Sequence, residues 1–290
     1  MNPGRNASMI RWLTACVLSG LLAAVSWCPS ATAAEIGPPS AELRERLALS
    51  PFYSKHIDCG GLPIVASAKV SDYALREAEF LVRHLLAGRA DLMSVIVKAK
   101  IRLAVMAPSE FTSDIPEHSD LTPLAFWNRR ARGLGATSQR PAVSCGEENL
   151  LCLDGDPYGT ENILIHEFSH VVQEIGLTAV DPGFEDRLRA AFAAAKSAGR
   201  WRDHYAMTNH KEYWAEGVQS WFSCNRPTDP VNDRTALRTY DPPLAALIAE
   251  VFRDNEWIYV RPDRRVPPSP HLLDFDRKKA PTFVWPAAIP

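Results

Sequence analysis

The interpretation of this sequence starts from His166-Glu167-Phe168-Ser169-His170, an H-E-x-x-H motif. Two histidines four residues apart lie on one face of a helix, about one turn from each other. Both imidazoles can therefore reach a single zinc ion, and the glutamate between them lies beside a water bound there. Apolar neighbours predict a buried helix from Thr160 to Ile175 that is capped by Thr160. Such a motif also arises by chance, so further ligands are needed to support a metal site.

A catalytic zinc needs three protein ligands and an open position for water, so two histidines are too few. The metzincin pattern is excluded, because Gln173 and Gly176 stand where that class has a glycine and a third histidine. A later helix, predicted from Asn209 to Phe222, carries Glu212 and Glu216 on one face. One carboxylate can bind zinc while the other accepts a hydrogen bond from the far nitrogen of a liganding histidine. Spacing alone leaves open which glutamate has which role, and a solvated face is the alternative.

The segment from Tyr205 to Glu216 reads YAMTNHKEYWAE. Together with H-E-F-x-H, it resembles the gluzincin-type catalytic domain of anthrax lethal factor and its relatives, including the MtfA-type bacterial peptidases. Their corresponding segment is Y-x-x-T-N-x-x-E-[FY]-[FW]-A-E, and the likeness covers roughly residues 160–222. The resemblance implies a zincin-like fold that binds one Zn²⁺ through His166, His170 and Glu212. It also implies that Tyr205 assists catalysis and leaves Glu216 as the hydrogen-bonding carboxylate.

The predicted function is hydrolysis of peptide bonds by a metal-activated water, with Glu167 as the general base. Tyr205 would donate a hydrogen bond to the oxyanion. The same metal and base can cleave other amide-bearing polymers, which is an alternative that a substrate screen separates. A zinc-binding module without turnover is a second alternative. Glu167 argues against it, because zinc binding alone does not require a base.

A peptide substrate commonly adds as a strand to an exposed sheet edge beside the active-site helix. The stretch from Ser144 to Leu151 is the predicted edge. Its candidate substrate-binding residues are Gly146, Glu147, Glu148 and Asn149. The acidic pair would favour a basic substrate residue or would keep the edge from aggregating. Nearby, Arg129, Arg130 and Arg132 form a cluster that either binds an anionic group or belongs to a solvated basic loop.

The chain has 290 residues, a net charge of −2 and 46% hydrophobic residues, so nothing indicates a nucleic-acid partner. Residues 1–33 are expected to be a signal peptide: Arg5 and Arg11 precede a short apolar run, and Ala31-Thr32-Ala33 is typical of a cleavage site. The mature protein is therefore expected to be secreted or periplasmic, without stable membrane association. The oligomeric state cannot be predicted.

Residues 34–290 are expected to form one α+β domain, mainly helical with a small mixed sheet beside the motif helix. Helix and strand patterns alternate in the N-terminal part, residues 34–158, which includes an irregular stretch from 108 to 159. Helices dominate the metal-binding part, residues 159–260. Residues 261–290 are predicted to be an extended arm that packs through Phe275, Phe283 and Trp285.

Four cysteines remain after the predicted signal peptide: Cys59, Cys145, Cys152 and Cys224. An oxidising compartment permits disulfides, and four cysteines allow three pairings. Buried free thiols are the alternative, and the sequence does not choose between them.

Overall fold

The structure is a computed structural model that describes Met1, residues 35–253 and residues 255–286. The signal peptide predicted for residues 1–33 lies outside the described residues apart from Met1, so it stays a prediction. The helices are α1 (Ala41–Leu47), α2 (Asp72–Leu85), α3 (Ala90–Lys98), α4 (Leu124–Arg130), α5 (Glu147–Leu150), α6 (Ile163–Val171), α7 (Thr178–Val180), α8 (Phe184–Ser197), α9 (His210–Trp221), α10 (Arg234–Tyr240) and α11 (Pro242–Phe252). In the described part of the chain, no helix has the length and apolar character needed to cross a membrane.

The sheet of the described residues has five strands: β1 (Lys55–Cys59), β2 (Leu62–Ala66), β3 (Arg102–Met106), β4 (Gly133–Leu134) and β5 (Ala142–Gly146). Their order is β1-β2-β3-β5-β4, with β2, β3 and β5 parallel and the two outer strands antiparallel to their neighbours. The parallel strands are buried on both faces and almost wholly apolar. The α+β class with a small mixed sheet beside the motif helix is confirmed.

The sheet separates two hydrophobic clusters, because successive side chains of a strand point to opposite faces. Ile64 and Leu103 belong to the larger cluster, which includes residues of α2, α6 and α9. Val65 and Ala104 belong to the smaller cluster on the other face, together with Leu43 of α1. The motif helix α6 therefore packs within the main core, and this burial holds its histidines in place.

Helix α6 begins two residues later than the sequence pattern indicated. Asn162 is its N-cap, and its side-chain oxygen accepts a hydrogen bond of 2.9 Å from the Ile165 backbone N–H. The predicted cap, Thr160, lies outside the helix, so that prediction was wrong. After Val171 the helix continues as a π-helical segment from Val172 to Leu177. Such segments are rare in proteins, and many of those known lie at functional sites.

The stretch from 108 to 159, predicted to be irregular apart from a sheet edge at Ser144 to Leu151, contains α4, β4, β5 and α5. Strand β5 (Ala142–Gly146) overlaps the predicted edge only at its last three residues, because a buried run this short has no periodicity that marks its ends. Strand β4 has only two residues and no periodicity of its own. Tertiary pairing, not local pattern, makes this region part of the sheet.

The C-terminal arm is fastened to the body by charge as well as by packing. Glu77 of α2 is fully buried, and its carboxylate accepts hydrogen bonds from Arg265 and His271, with an Arg265 Nη1 to Oε2 distance of 2.9 Å. Phe275 packs on Tyr73 with ring centroids 5.2 Å apart. A buried carboxylate needs such partners, so the arm satisfies a charge that α2 carries into the core.

The four cysteines in the described residues are all buried, and none forms a disulfide. Burial raises the pKa of each thiol, to about 12 for Cys59. Of the two possibilities that the sequence left open, the structure shows free thiols, and these are in the unreactive protonated form at neutral pH.

Replacement of Arg132 by methionine is expected to lower the free energy of unfolding by about 3–5 kcal/mol, because one partner of a buried ion pair would be lost. The Arg132 guanidinium pairs with the fully buried Glu148 carboxylate, at 2.9 Å from Nη2 to Oε2. Urea denaturation measures the change. Arg129→Met, an exposed change nearby, is the control and should stay within about 0.5 kcal/mol of wild type. Equal stability of the two variants would contradict a structural role for the pair.

Candidate metal centre

Helices α6 and α9 bring together His166, His170 and Glu212. The Glu212 Oε2 atom lies 3.1 Å from Nε2 of His166 and 3.5 Å from Nε2 of His170. One ligand atom from each of the three residues lies within 4.8 Å of the other two. The two imidazole rings are nearly perpendicular, with centroids 5.0 Å apart. The donor atoms of the two histidines, four residues apart, and of the later glutamate thus converge on one point.

Aromatic residues of α9 fix its position relative to α6. The Trp214 indole N–H donates to the Ser169 carbonyl at 2.9 Å, which ties α9 directly to the motif helix. On another side, the Tyr213 hydroxyl donates to the buried Asp241 carboxylate at 2.7 Å. Gly217 allows close packing of α11, because a Cβ there would lie 2.6 Å from a Leu244 methyl carbon. Glu212 is therefore held beside the histidines by side chains remote from the centre.

The donor set fits a zinc ion in both chemistry and spacing. Two imidazole nitrogens and one carboxylate oxygen are a typical catalytic zinc set. Ligand distances near 2.0–2.2 Å in a tetrahedron separate the donor atoms by about 3.3–3.6 Å. The measured separations of 3.1 and 3.5 Å from Glu212 to the two histidines lie close to that range. A zinc ion held by these three donors would keep one coordination position for a water molecule.

Gln219 orients one of these histidines, and the sequence interpretation did not include it. Its side-chain oxygen lies 2.8 Å from Nδ1 of His166, so Nδ1 donates to it and Nε2 is the ring nitrogen that faces Glu212 and is placed to bind a metal ion. The Gln219 amide nitrogen donates to Glu161 and to the Asn162 carbonyl, which fixes the orientation of the amide. A helical spacing of seven residues from Glu212 was the available signal, because it places Gln219 two turns away on the same face.

Gln219→Leu is expected to weaken zinc binding about 10–100-fold, because His166 loses the acceptor that holds its ring and tautomer. Competition with a fluorescent zinc chelator measures the affinity. Thermal unfolding of the metal-free variant, compared with the metal-free wild type, shows whether the fold is retained. Unchanged zinc affinity in a folded variant would contradict the orienting role.

Glu216 does not have the role predicted for it. Its fully buried carboxylate accepts hydrogen bonds of 2.9 Å from Asn225 and Arg226 rather than from a liganding histidine. His204 Nε2 lies 3.9 Å from Glu216 and 3.1 Å from Asp229, and these three residues resemble a second metal cluster. The Arg226 guanidinium already contacts both carboxylates, so it supplies the positive charge that they need.

The electrostatics of the centre reflect the close approach of acid and imidazole. Burial lowers the pKa of His166. Its hydrogen bond to Glu212 and the charges of the surrounding carboxylates raise that pKa by more, so that it lies at about 10. Burial raises the pKa of Glu212, yet its hydrogen bonds to the two histidines hold that pKa well below the ordinary range. The Glu212 carboxylate is therefore ionised, and a divalent cation would meet a negatively charged ligand beside two imidazole nitrogens.

Glu167 and Tyr205 both line the cleft that contains the three donors. Burial raises the pKa of Glu167, against the lowering effect of the two histidines and of a backbone hydrogen bond from Gly135. Tyr205 lies in a short turn before α9, and its ring centroid is 6.3 Å from that of His166. The residue is 42% exposed and lines the cleft. All residues of the predicted centre therefore reach one cavity.

The cleft has a volume of about 480 Å³, and strand β4 forms one of its walls together with the residues that follow it, up to Thr137. Strand β4 is one of the two outer strands of the sheet, so one of its edges is unpaired within the described part of the chain. Glycine lets this wall approach α6: a Cβ on Gly133 would lie 2.4 Å from Ile163, and one on Gly135 would lie 3.1 Å from His170. An unpaired edge therefore runs directly beside the metal ligands.

The predicted substrate edge at Gly146, Glu147, Glu148 and Asn149 is wrong in this structure. Strand β5 lies between β3 and β4, and the three residues after Gly146 form the buried helix α5. Each polar side chain there has an internal partner: Glu147 accepts from the Ser71 backbone, Glu148 pairs with Arg132, and Asn149 accepts from the Ile163 backbone at the start of α6. These residues position α2, the cleft wall and the motif helix, and they do not face a substrate.

Comparisons with known proteins add little to the geometry. No family model and no curated protein matches the sequence. Among solved structures, a PRO-PRO endopeptidase from Paenibacillus alvei superposes with a TM-score of 0.40 at 15% identity. The superposition covers 67% of this chain and 99% of that one. A likeness at this level assigns neither a fold family nor an activity to this chain. Its function is therefore argued from the site alone.

Proposed function

We propose that the chain is a zinc-dependent hydrolase, and more particularly a metallopeptidase of the gluzincin type that is exported by its N-terminal segment. The observation that carries the proposal is the convergence of His166, His170 and Glu212 within 4.8 Å in a cleft that Glu167 also lines. Structural histidine pairs do not need an acid at this position, whereas hydrolysis does.

A zinc ion held by these three residues would lower the pKa of a water molecule and polarise the substrate carbonyl. Glu167 takes the proton from the attacking water and passes it to the leaving amine. Its raised pKa, caused by burial, favours this exchange, because a base that is too weakly basic would not retain the proton. Tyr205 donates a hydrogen bond from its hydroxyl to the oxygen that gains negative charge and keeps its proton.

An extended peptide fits this cleft better than a compact small molecule does. The unpaired edge of β4 offers backbone N–H and C=O groups beside α6, and a peptide strand can pair with them. Pairing along the backbone holds a peptide bond against the centre without requiring a particular side chain. The cleft volume of about 480 Å³ lies within the range of roughly 300–1,000 Å³ that is typical of ligand-binding clefts.

The proposal is tested by incubating the zinc-loaded chain, residues 34–290, with a mixed peptide library and with amide-bearing cell-wall polymers. Mass spectrometry identifies the products. New peptide N-termini that appear with zinc, disappear with a chelator and return on adding zinc would support the peptidase. Cleavage of the polymers alone would replace it with the alternative hydrolase. Zinc binding without any product would leave a binding module.

Tyr205→Phe is expected to lower kcat by about 10²–10³-fold with little change in KM, because the lost hydrogen bond forms only as the oxyanion develops. Steady-state kinetics on a cleaved library peptide measures both constants. Tyr73→Phe, at a tyrosine of α2 that does not line the cleft, serves as a control and should leave kcat near wild type. A change confined to KM would assign Tyr205 to substrate binding instead.

A further inference from the structure

The cleft contains several arginine and lysine side chains, and most of them are neutralised. Arg132 pairs with Glu148, Lys211 with Glu174, and Arg226 with Glu161 and Glu216. Arg130 also lines the cleft, yet it has no carboxylate partner within the described part of the chain. It is therefore the cleft cation whose charge is available to an incoming group.

The position of Arg130 in α4 presents this charge to the cleft. Trp127 and Arg130 are three residues apart on the helix, so they share a face, and both line the cavity. The backbone carbonyl of Arg130 accepts a hydrogen bond from the Tyr158 hydroxyl, which anchors the end of the helix. The guanidinium carbon lies 5.3 Å from the centre of the Phe126 ring. The side chain is thus exposed but supported on one side by an aromatic ring.

Arg130 also lies near the residues proposed to act on the substrate. Arg130 and Tyr205 line the same cleft as the three donor residues. Tyr205 in turn lies beside His166. A group bound at Arg130 would therefore share this cleft with the peptide bond at the metal centre, on the α4 side.

We propose that Arg130 binds a carboxylate of the substrate close to the cleaved bond, so that the peptidase prefers an acidic peptide there. The inference rests on the proposed function and adds its substrate class. A guanidinium binds carboxylates through two parallel hydrogen bonds. The carboxylate can come from an aspartate or glutamate side chain or from the free C-terminus of the substrate.

The test uses one cleaved library peptide in which residues within three positions of the cleaved bond are changed singly to Glu, Gln or Lys. Each is made with an amidated and with a free C-terminus. The wild type is expected to cleave the best Glu peptide about 10–100-fold more efficiently, in kcat/KM, than its Gln counterpart. Arg130→Met should remove this preference, and Arg130→Glu should shift it toward Lys. Arg129→Met, an exposed arginine of the same helix that does not line the cleft, should behave as wild type.

Binding provides a second measurement that does not depend on turnover. Fluorescence anisotropy with Glu167→Gln measures the affinity for the Glu and Gln peptides, with and without Arg130→Met. An Arg130-dependent preference in binding, even if no peptide is cleaved by the wild type, supports the carboxylate site while overturning the peptidase. Equal binding of the Glu and Gln peptides and of both C-terminal forms, or a preference that Arg130→Met leaves intact, overturns the carboxylate site. A preference limited to free C-termini supports the site and assigns it to the terminal carboxylate.

Discussion

Glu167→Gln abolishes most peptide hydrolysis, with an expected fall in kcat of about 10²–10⁴-fold, while the protein still binds one zinc per chain. The amide has nearly the shape of the carboxylate but cannot take a proton from water. Glu167 supplies none of the three donor atoms that converge in the cleft, so its replacement should leave the metal site intact. Kinetics on a cleaved peptide and elemental analysis on the same preparation measure both effects.

The matched control is Glu174→Gln, the same chemical change at another glutamate of the cleft wall. Glu174 pairs with Lys211 at 2.6 Å, and both side chains are partly exposed, so the pair contributes little stability. This variant should retain kcat within a few-fold of wild type. If Glu167→Gln retained full activity while binding zinc normally, the base would be another residue and the proposed role of Glu167 would be wrong.

Glu212→Ala is expected to lose zinc almost completely under conditions in which the wild type holds one ion per chain. Removal of a ligand should cost more affinity than the roughly 10–100-fold that follows loss of an outer hydrogen bond. The remaining His166 and His170 would provide only two donors, fewer than a catalytic zinc requires. Elemental analysis after dialysis against a weak chelator measures the content.

Glu174→Ala again provides the control, because it removes a cleft carboxylate outside the donor set. Its zinc content should match that of wild type. Circular dichroism of both metal-free variants distinguishes loss of metal from loss of fold. Full zinc content in a folded Glu212→Ala protein would show that the donor set is not the one proposed here, and the assignment to the gluzincin type would fail with it.

Much of the helical structure follows from local pattern, because helix periodicity and caps involve neighbouring residues. Serine is a residue type that favours a helix N-cap, and Ser71 accepts a hydrogen bond from the Tyr73 backbone N–H at the start of α2. The helical patterns that run from Leu92 to Lys98 and from Phe184 to Ala198 likewise agree within a few residues with α3 and α8. Short strands could not be predicted in this way. The sequence patterns of β1 and β4 are too short to show the period of a strand, so neither strand was predicted.

The sequence by itself determined which residues are candidates for the centre. Four-residue spacing places His166 and His170 on one helix face whatever surrounds them, and likeness to a known segment singled out Glu212 and Tyr205. Only the tertiary structure decided what lies around them. It assigned the orientation of His166 to Gln219, and it made β4 the unpaired edge.

The difference between local pattern and tertiary structure also explains the wrong prediction of the substrate edge and the carboxylate site proposed at Arg130. The sequence offered Glu148 and Arg130 alike as charged candidates for substrate binding. In the structure Glu148 is fully buried in an ion pair, whereas Arg130 is exposed. Their roles depend on which partners the fold brings within a few ångströms: Glu148 pairs with Arg132, which is 16 residues away and therefore beyond the reach of a helix period. Local spacing therefore determines which side chains share a helix face, whereas long-range packing decides which of them face the substrate.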